Sequence, residues 1–474
     1  MHYVFFFPDE FRASALSCYG NPVARMPNYD RLAAEGTLFE ANYTAHPVCV
    51  PSRCSLMTGW YPHVAGFRTL KHLMQPWHPN FFRYIHEAGF ETFVYGKNHV
   101  FSEPVYRECV DRWLYTDFDH GRLGVKGASE PLKDYTMLGQ PLPDSQLEEL
   151  HDTRCVNAAV EAIRSWKPGD KPMFIFLPTL MPHAPYEITE SFYHMYNPDD
   201  LPPLPPPDVP GKPSAQVLIR KYRELEGLDE HAFRRIQAVY LGMCSYADML
   251  LGRLLDALDE TGLAADTTVI ASSDHGDWAG DWGLVEKWPS CMDDDLTRVP
   301  LIIRCPGGEK GHRVQELTQT FDLFPTICNW EGIPIRHDQF GVSLADQVAG
   351  KAGDPERAVF CEGGYDLREP HAFEGTKGFS AFNQPGTLYY PKMKQQQRDP
   401  LSVCRTTMLR EARWKLNVRT NGENELYDMV NDPGERVNLY ASPEHQETVR
   451  RLEKRMLEWL MDTADVVPHE GHEI

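Results

Sequence analysis

Short apolar runs that stop abruptly at polar, chemistry-bearing residues recur along this chain. Tyr3-Val4-Phe5-Phe6-Phe7 halts at Pro8-Asp9-Glu10, and Glu91-Thr92-Phe93-Val94-Tyr95 delivers Gly96-Lys97-Asn98-His99. Met173-Phe174-Ile175-Phe176-Leu177 leads into Met181-Pro182-His183-Ala184-Pro185-Tyr186, and Thr267-Thr268-Val269-Ile270-Ala271-Ser272 ends in Ser273-Asp274-His275-Gly276-Asp277. Runs of this length, rich in β-branched and aromatic residues and bounded by turn formers, read as buried strands. Between them the pattern switches to helical spacing. Pro27 to Gly36 reads as a short helix, with Asn28 as N-cap and Gly36 as its stop. Phe81 to Glu87 and Cys155 to Trp166 follow, and Ala232 to Leu258 is the longest. There Ile236, Val239, Tyr240, Met243, Ala247, Leu250, Leu251, Leu254 and Leu258 form one apolar face. Strand, polar loop and helix in repeated order predict an α/β fold: a mostly parallel central sheet covered by helices on both faces. In such sheets ligands collect beyond the carboxyl ends of the strands, which is where the polar loops lie.

Residues 101–150 carry few regular signals and read as loops over the site. Seven prolines between Leu201 and Pro213 predict an extended loop. After about residue 355 the texture changes. Val359 to Glu362, Thr406 to Leu409 and Trp414 to Val418 read as short strands. Asn424 to Asp428 precedes a turn at Asp432-Pro433-Gly434, and Pro443 to Asp462 is a closing amphipathic helix. The expected division is a catalytic α/β unit over 1–355 and a smaller C-terminal α+β domain, with short antiparallel strands, over 356–474.

Charge narrows the partners. With 47 Lys and Arg against 68 Asp and Glu, the formal charge is −21. An acidic surface argues against nucleic acid and against anionic membranes, so an anionic substrate needs a local positive island. Eleven cysteines, an odd number without paired spacing, match neither a disulfide framework nor a zinc site. The amino-terminal residues lack a basic head and a small-residue cleavage site, and no apolar run approaches membrane-spanning length. The sequence therefore predicts a cytoplasmic protein.

One stretch resists explanation by packing: Cys49-Val50-Pro51-Ser52-Arg53, followed by Leu56-Met57-Thr58-Gly59, with Pro51 placed to open a helix. The reactive side chains are then Asp9 and Glu10, Cys49 and Arg53, Lys97 and His99, His183, and Asp274 and His275 with Lys287. Each has an ordinary reading as a cap, a solvated lysine or a structural histidine; their order, each beside a strand end, does not. An anionic ester needs its oxygens neutralised before a nucleophile can approach its central atom. A hard dication held by carboxylates such as Asp9, Glu10 and Asp274 does that.

The order acidic pair, C-x-P-S-R, G-K-x-H, P-H-x-P-Y, S-D-H-G and a downstream lysine resembles the type I sulfatases of the alkaline phosphatase superfamily. Pro27 to Ala33, Arg298-Val299-Pro300-Leu301 and Glu425-Leu426-Tyr427-Asp428 are supporting matches. The resemblance implies that a maturase oxidises Cys49 to formylglycine (3-oxoalanine), the nucleophile. It also implies Ca²⁺ held by Asp9, Glu10, Asp274, His275 and the modified Cys49. His275 stands where many relatives have Asn, which leaves Mg²⁺ or Mn²⁺ open, and Glu10 replaces the usual Asp or Gln. By the same resemblance Lys97 and Lys287 contact the sulfate, and His183 with Lys287 protonates the departing alcohol. His99 deprotonates the second hydroxyl, and Arg53 steadies the nucleophile loop. The expected substrate is a small sulfated mono- or oligosaccharide, with His183 among its contacts. Loops near Trp60, His63, Arg68, His72, Tyr106 and the 365–395 region are expected to line the pocket. The rival readings are a phosphonate monoester or phosphodiester hydrolase of the same superfamily, disfavoured by having both Lys97 and His99, and a non-catalytic metal-binding relative.

Overall fold

The computed structural model describes residues 1–114, 136–374 and 385–469. The strands run β1 (His2–Phe6), β2 (Thr37–Phe39), β3 (Asn42–Tyr43), β4 (Glu91–Tyr95), β5 (Arg112–Leu114), β6 (Met173–Leu177) and β7 (Thr267–Ser272). They continue with β8 (Leu301–Arg304), β9 (His312–Val314), β10 (Thr318–Gln319), β11 (Val359–Gly363), β12 (Thr406–Arg410), β13 (Trp414–Arg419) and β14 (Glu425–Asp428). Eight of them form the central sheet in the order β5-β4-β6-β1-β7-β8-β2-β9. Pairing is parallel from β5 to β7, antiparallel on both sides of β8, and parallel again between β2 and β9. β1 lies at the middle, with Val4 opposite both Ile175 and Val269.

Alternation along β1 sorts the two faces. Tyr3, Phe5 and Phe7 pack with Phe174, Phe176, Phe81, Phe82 and the apolar side of α2 (Cys49–Thr58). Val4 and Phe6 pack on the other face with α1 (Pro27–Glu35) and the 32-residue helix Glu230–Thr261. Helices therefore cover both faces, as the periodicity predicts. Among the described residues no helix is long and apolar enough to cross a membrane.

Two local expectations are corrected, and a third, Gly36 as the stop of α1, holds. Asn28 is not the cap of α1. Met26 holds that position without a side-chain bond, and Asp248 on the long helix accepts the Asn28 and Tyr29 backbone N–H groups at 2.9 and 2.8 Å. Gly36 ends α1 in extended backbone, and its missing side chain serves a close approach: a Cβ there would lie 2.4 Å from the Ile303 carbonyl oxygen. Residues 101–150 are not all loop, since they hold the helix Glu103–Cys109 and β5. The expectation for residues 115–135 lies outside the described residues.

The smaller sheet runs β11-β12-β13-β14, antiparallel throughout. One face, with Phe360, Leu409, Leu416 and Leu426, is covered by the closing helix Gln446–Asp462; Trp459 stacks on Phe360 with ring centroids 4.3 Å apart. The other face, with Val359, Cys361 and Met408, packs on Tyr43 and Met292 of the larger unit. Gly363 makes that docking close, because a Cβ would lie 1.9 Å from the Pro289 carbonyl oxygen.

Candidate active site

Four loops at the carboxyl ends of parallel strands meet the amino end of α2. Beyond β1, Phe7 N–H donates to the Leu177 carbonyl (2.9 Å) and Asp9 N–H to that of Thr179 (3.2 Å), so the chain stays tied to the β6 loop as it leaves the sheet. Ser273 Oγ donates to the Pro8 carbonyl at 2.7 Å and accepts the Phe11 N–H at 3.0 Å, binding this loop to the one after β7. Tyr240, from the long helix, donates to the Glu10 carbonyl at 2.7 Å. Asp9, Glu10, Asp274 and His275 are all fully buried as a result.

Cys49 is the first residue of α2, facing the site from the helix end where backbone N–H groups and the helix dipole favour an anion. Ser52 Oγ donates to the Asp274 carbonyl at 2.7 Å. Arg53, with no exposed surface, crosses the floor. Nε donates to Asp274 Oδ2 (2.8 Å), Nη2 to Asp9 Oδ2 (2.7 Å) and Nη1 to the Lys97 carbonyl (2.7 Å). Lys97 Nζ adds a second contact to Asp9 Oδ2 at 2.8 Å and stands 3.8 Å from Cys49 Sγ. Burial alone would raise the Asp9 carboxyl, but Lys97 and Arg53 hold it well below the usual range. Burial pushes the Cys49 thiol up to about 11, so the unmodified side chain stays protonated near neutrality.

The carboxylate oxygens that Arg53 leaves open converge. Asp9 Oδ1 and Asp274 Oδ1 lie 3.6 and 3.8 Å from His275 Nε2, and Cys49 Sγ lies 3.3 Å from the same nitrogen. His275 Nδ1 donates to the Gly276 carbonyl (2.9 Å), which turns the Nε2 lone pair toward the carboxylates. One ligand atom from each of Asp9, Cys49, Asp274 and His275 falls within 4.8 Å of the others. Two carboxylates and an oriented imidazole in a buried cradle fit a divalent cation.

Glu10 turns elsewhere. Its Oε1 accepts from Lys287 Nζ at 2.5 Å, its Oε2 accepts the Ala184 N–H at 3.1 Å, and burial, opposed by Lys287, raises its carboxyl. Glu10 also groups with Asp9 and His183 as candidate ligand atoms, but the ammonium of Lys287 is its direct partner. His183 Nδ1 bonds the Ala184 carbonyl (2.5 Å) and Nε2 faces Lys287 Nζ at 2.9 Å. Burial, reinforced by Lys287 and Lys97, drives the His183 imidazole well below its usual pKa. Asp152 holds this loop by accepting the Leu180 and Met181 N–H groups at 2.8 and 2.7 Å. His99 sits half-buried in the loop after β4, with φ of 45°.

The pocket expectation is corrected in part. Tyr106 belongs to the apolar core behind β4, and Trp60 donates its indole N–H to the Asp338 carbonyl at 2.7 Å. His63 pairs with Glu362 at 2.9 Å between the two units. Arg68 and His72 stay on the loop beside α2, where Cys54 Sγ points at the His72 carbonyl. Residues 375–384 of the expected lining lie outside the described residues. Sequence reasoning missed Asp152, Glu286, Arg223 and Lys392. Glu286 alone carried a signal, as the neighbour of Lys287.

A family model described as Sulfatase matches residues 1–333. The arylsulfatase of Clostridium perfringens (strain 13 / Type A) is 26% identical over 483 residues, covering 95% of this chain and 92% of that protein. The N-acetylglucosamine-6-O-sulfatase of Bacteroides thetaiotaomicron is 24% identical over 520 residues, covering 98% and 87%. Among solved structures, the phosphonate monoester hydrolase of Silicibacter pomeroyi superposes with a TM-score of 0.79 at 23% identity, covering 98% and 95%. That last likeness is one of fold.

Proposed function

The chain belongs to the sulfatase family and is a sulfuric ester hydrolase, and on that premise we propose that it cleaves a sulfate monoester of a small sulfated carbohydrate, using a formylglycine made from Cys49. The observation that carries this reading is the placement of Cys49 Sγ, 3.3 Å from His275 Nε2 and 3.7 Å from Asp9 Oδ1 at the open end of α2. Carbohydrate sulfatases among the relatives support the substrate class.

Asp9, Asp274 and His275 would hold the cation, Ca²⁺ first and Mg²⁺ or Mn²⁺ as alternatives, with residue 49 beside them. Bound there, it supplies neutralisation of the sulfate oxygens. Converted to formylglycine by a maturase, residue 49 supplies a hydrated aldehyde, one hydroxyl to attack sulfur and a second through which sulfate leaves. The remaining work falls to this chain's own side chains. Arg53 orients Asp9 and Asp274 so that one oxygen of each stays available. Lys97, near the nucleophile, takes a sulfate oxygen. The His183–Lys287 pair delivers the proton to the departing sugar oxygen, with the ammonium as its source and the imidazole as the acceptor that orients it. Glu10 offsets the Lys287 charge, and His99 takes the proton from the second hydroxyl.

The test is the mass of the peptide carrying residue 49, from protein made in a host with the maturase, together with turnover of a substrate panel. Loss of sulfur and two hydrogens against gain of one oxygen, with hydrolysis of sugar sulfates, is expected. An intact cysteine without sulfatase activity overturns the formylglycine mechanism. A phosphonate monoester turned over faster than any sulfate ester moves the assignment to the phosphonate hydrolases.

A further inference from the structure

We infer that His46 and Arg68 form a second anion subsite beside the nucleophile, taking a carboxylate or a second sulfate on the sugar that carries the scissile ester. The inference deepens the carbohydrate sulfatase reading and rests on it.

His46, three residues before Cys49, has no exposed surface. Its Nδ1 accepts the Val48 backbone N–H at 3.1 Å, so in the neutral ring Nε2 carries the hydrogen. That Nε2 is buried and has no hydrogen-bond partner among the described residues. Buried donors are nearly always satisfied, so an unsatisfied one beside a reaction centre marks where a ligand atom belongs. Burial, with His275 and Arg68 adding to it, pushes the His46 imidazole down to about 3, and the ring stays a neutral donor.

Arg68 is the second donor. Its Nη2 is fixed on both oxygens of Glu369 at 2.8 and 2.7 Å, while Nη1 is buried without a partner among the described residues. Its loop is pinned to the C-terminal segment, because Lys71 Nζ donates to the carbonyls of His371 (3.2 Å) and Phe373 (3.0 Å). The guanidinium is therefore held in place, and only 16% of its side chain is exposed.

The ligand class follows from the donor inventory. A guanidinium has no acceptor, and the one acceptor of His46 is already used by Val48. Two donors with no free acceptor suit a carboxylate or sulfate oxygen, which brings only lone pairs. Arg recognises such groups in particular.

The experiment uses the matured enzyme with 4-nitrophenyl sulfate, glucosamine 6-sulfate, glucosamine 2-N,6-O-disulfate and a 2-sulfated uronate. The wild type is expected to favour one of the two dianionic sugars in kcat/KM, and which one separates sulfate from carboxylate. Arg68→Ala is expected to lower that preference by about 10- to 100-fold, mainly through KM, the range set by a hydrogen bond to a charged group. His46→Leu should act in the same direction and His46→Gln, which keeps an N–H, should recover part of the loss. Arg68 lies on a surface loop, so its variant keeps the test alive should the His46 variants not fold. A wild type without preference for a second anion, or a preference unmoved by Arg68→Ala, overturns the subsite and leaves the sulfatase assignment standing. Equal losses on every substrate, 4-nitrophenyl sulfate included, also overturn it, because the two donors would then serve the scissile sulfate. A matured enzyme that turns over no sulfate ester removes the parent reading and the subsite together.

Discussion

Removing Arg53 is the sharpest test of how the floor of the site is held. The guanidinium and both of its carboxylate partners are fully buried, with contacts of 2.7 Å to Asp9 and 2.8 Å to Asp274. A hydrogen bond to a charged group contributes about 1.5–3 kcal/mol, so a simple sum for two is about 3–6 kcal/mol. Asp9 keeps Lys97 at 2.8 Å, whereas Asp274 Oδ2 loses its cation and the residue keeps only the Glu10 and His275 N–H groups on Oδ1, at 3.2 and 3.0 Å. The cost of Arg53→Met without metal is therefore about 3–5 kcal/mol, as for a buried pair with one partner deleted. Arg53→Lys, which reaches one carboxylate but not both, is expected to lose about half as much. A chain with two units need not unfold in one step, so the readout is the midpoint of the catalytic unit, by tryptophan fluorescence in EDTA. A fall of roughly 10 °C is expected for Arg53→Met, at about 2–4 °C per kcal/mol. Adding Ca²⁺ should change that gap, since a ligand that binds only the folded state stabilises each protein according to its own affinity and the dication faces the same two carboxylates. A loss of less than about 2 °C in EDTA refutes the energetic argument. A gap that Ca²⁺ leaves unchanged refutes the shared cation site.

Three further outcomes are expected. Burial, working against its hydrogen bonds to Asn28 and Tyr29, pushes the Asp248 carboxyl from 3.8 up to about 6. The folded chain thus keeps a proton that the unfolded chain releases, so this stability is full below 3.8 and is lost as pH rises through about 6. Asp248→Asn should remove up to about 3 kcal/mol of that slope, and melting curves that run parallel for both proteins across the acid range would sink the argument. Gly363→Ala forces a Cβ to 1.9 Å from the Pro289 carbonyl oxygen and should undock the small sheet; overpacking costs about 1–3 kcal/mol or more, and an unchanged thermal midpoint contradicts it. His183→Ala should slow sugar sulfates by about 10²- to 10⁴-fold and 4-nitrophenyl sulfate far less, since a nitrophenolate leaves without a proton; equal losses remove the His183–Lys287 pair as proton source.

Strand ends were the legible part of this molecule. β1, β4, β6 and β7 are apolar five- or six-residue runs whose burial on both faces needs no partner to be recognised, so Asp9, Lys97, His183 and Asp274 could be placed from sequence alone. Short edge strands escaped notice. β5 and β9 have three residues each, too few to show a period, and exist because a longer neighbour offers hydrogen bonds. Contacts distant in sequence were equally silent. His63 meets Glu362 from 299 positions away, Asp248 caps α1 from 220, and nothing near either residue announces the partner. His46 was passed over for a different reason: its meaning lies in an N–H left without an acceptor, which only a packed interior can reveal.

Glu10 shows what the long-range contacts accomplish. One extra methylene relative to Asp carries its carboxylate away from Asp274 and His275 to Lys287, which also lies 3.6 Å from Glu286. Glu286 is shared with Arg223 and with Lys392, the latter at 3.3 Å, and Lys392 reaches Glu374 at 3.5 Å. The array around residue 49 therefore falls into two groups of paired charges. Asp9 and Asp274 face Arg53 and Lys97, while Glu10, Glu286 and Glu374 face Lys287, Arg223 and Lys392. A divalent ion at Asp9, Asp274 and His275 would add positive charge beside carboxylates that Arg53 and Lys97 already pair. In a chain of net charge −21, such an ion would offer a sulfate ester a positive centre. Lys392 and Glu374 come from the C-terminal segment, so the ion pairs that reach Glu286 draw on both parts of the chain.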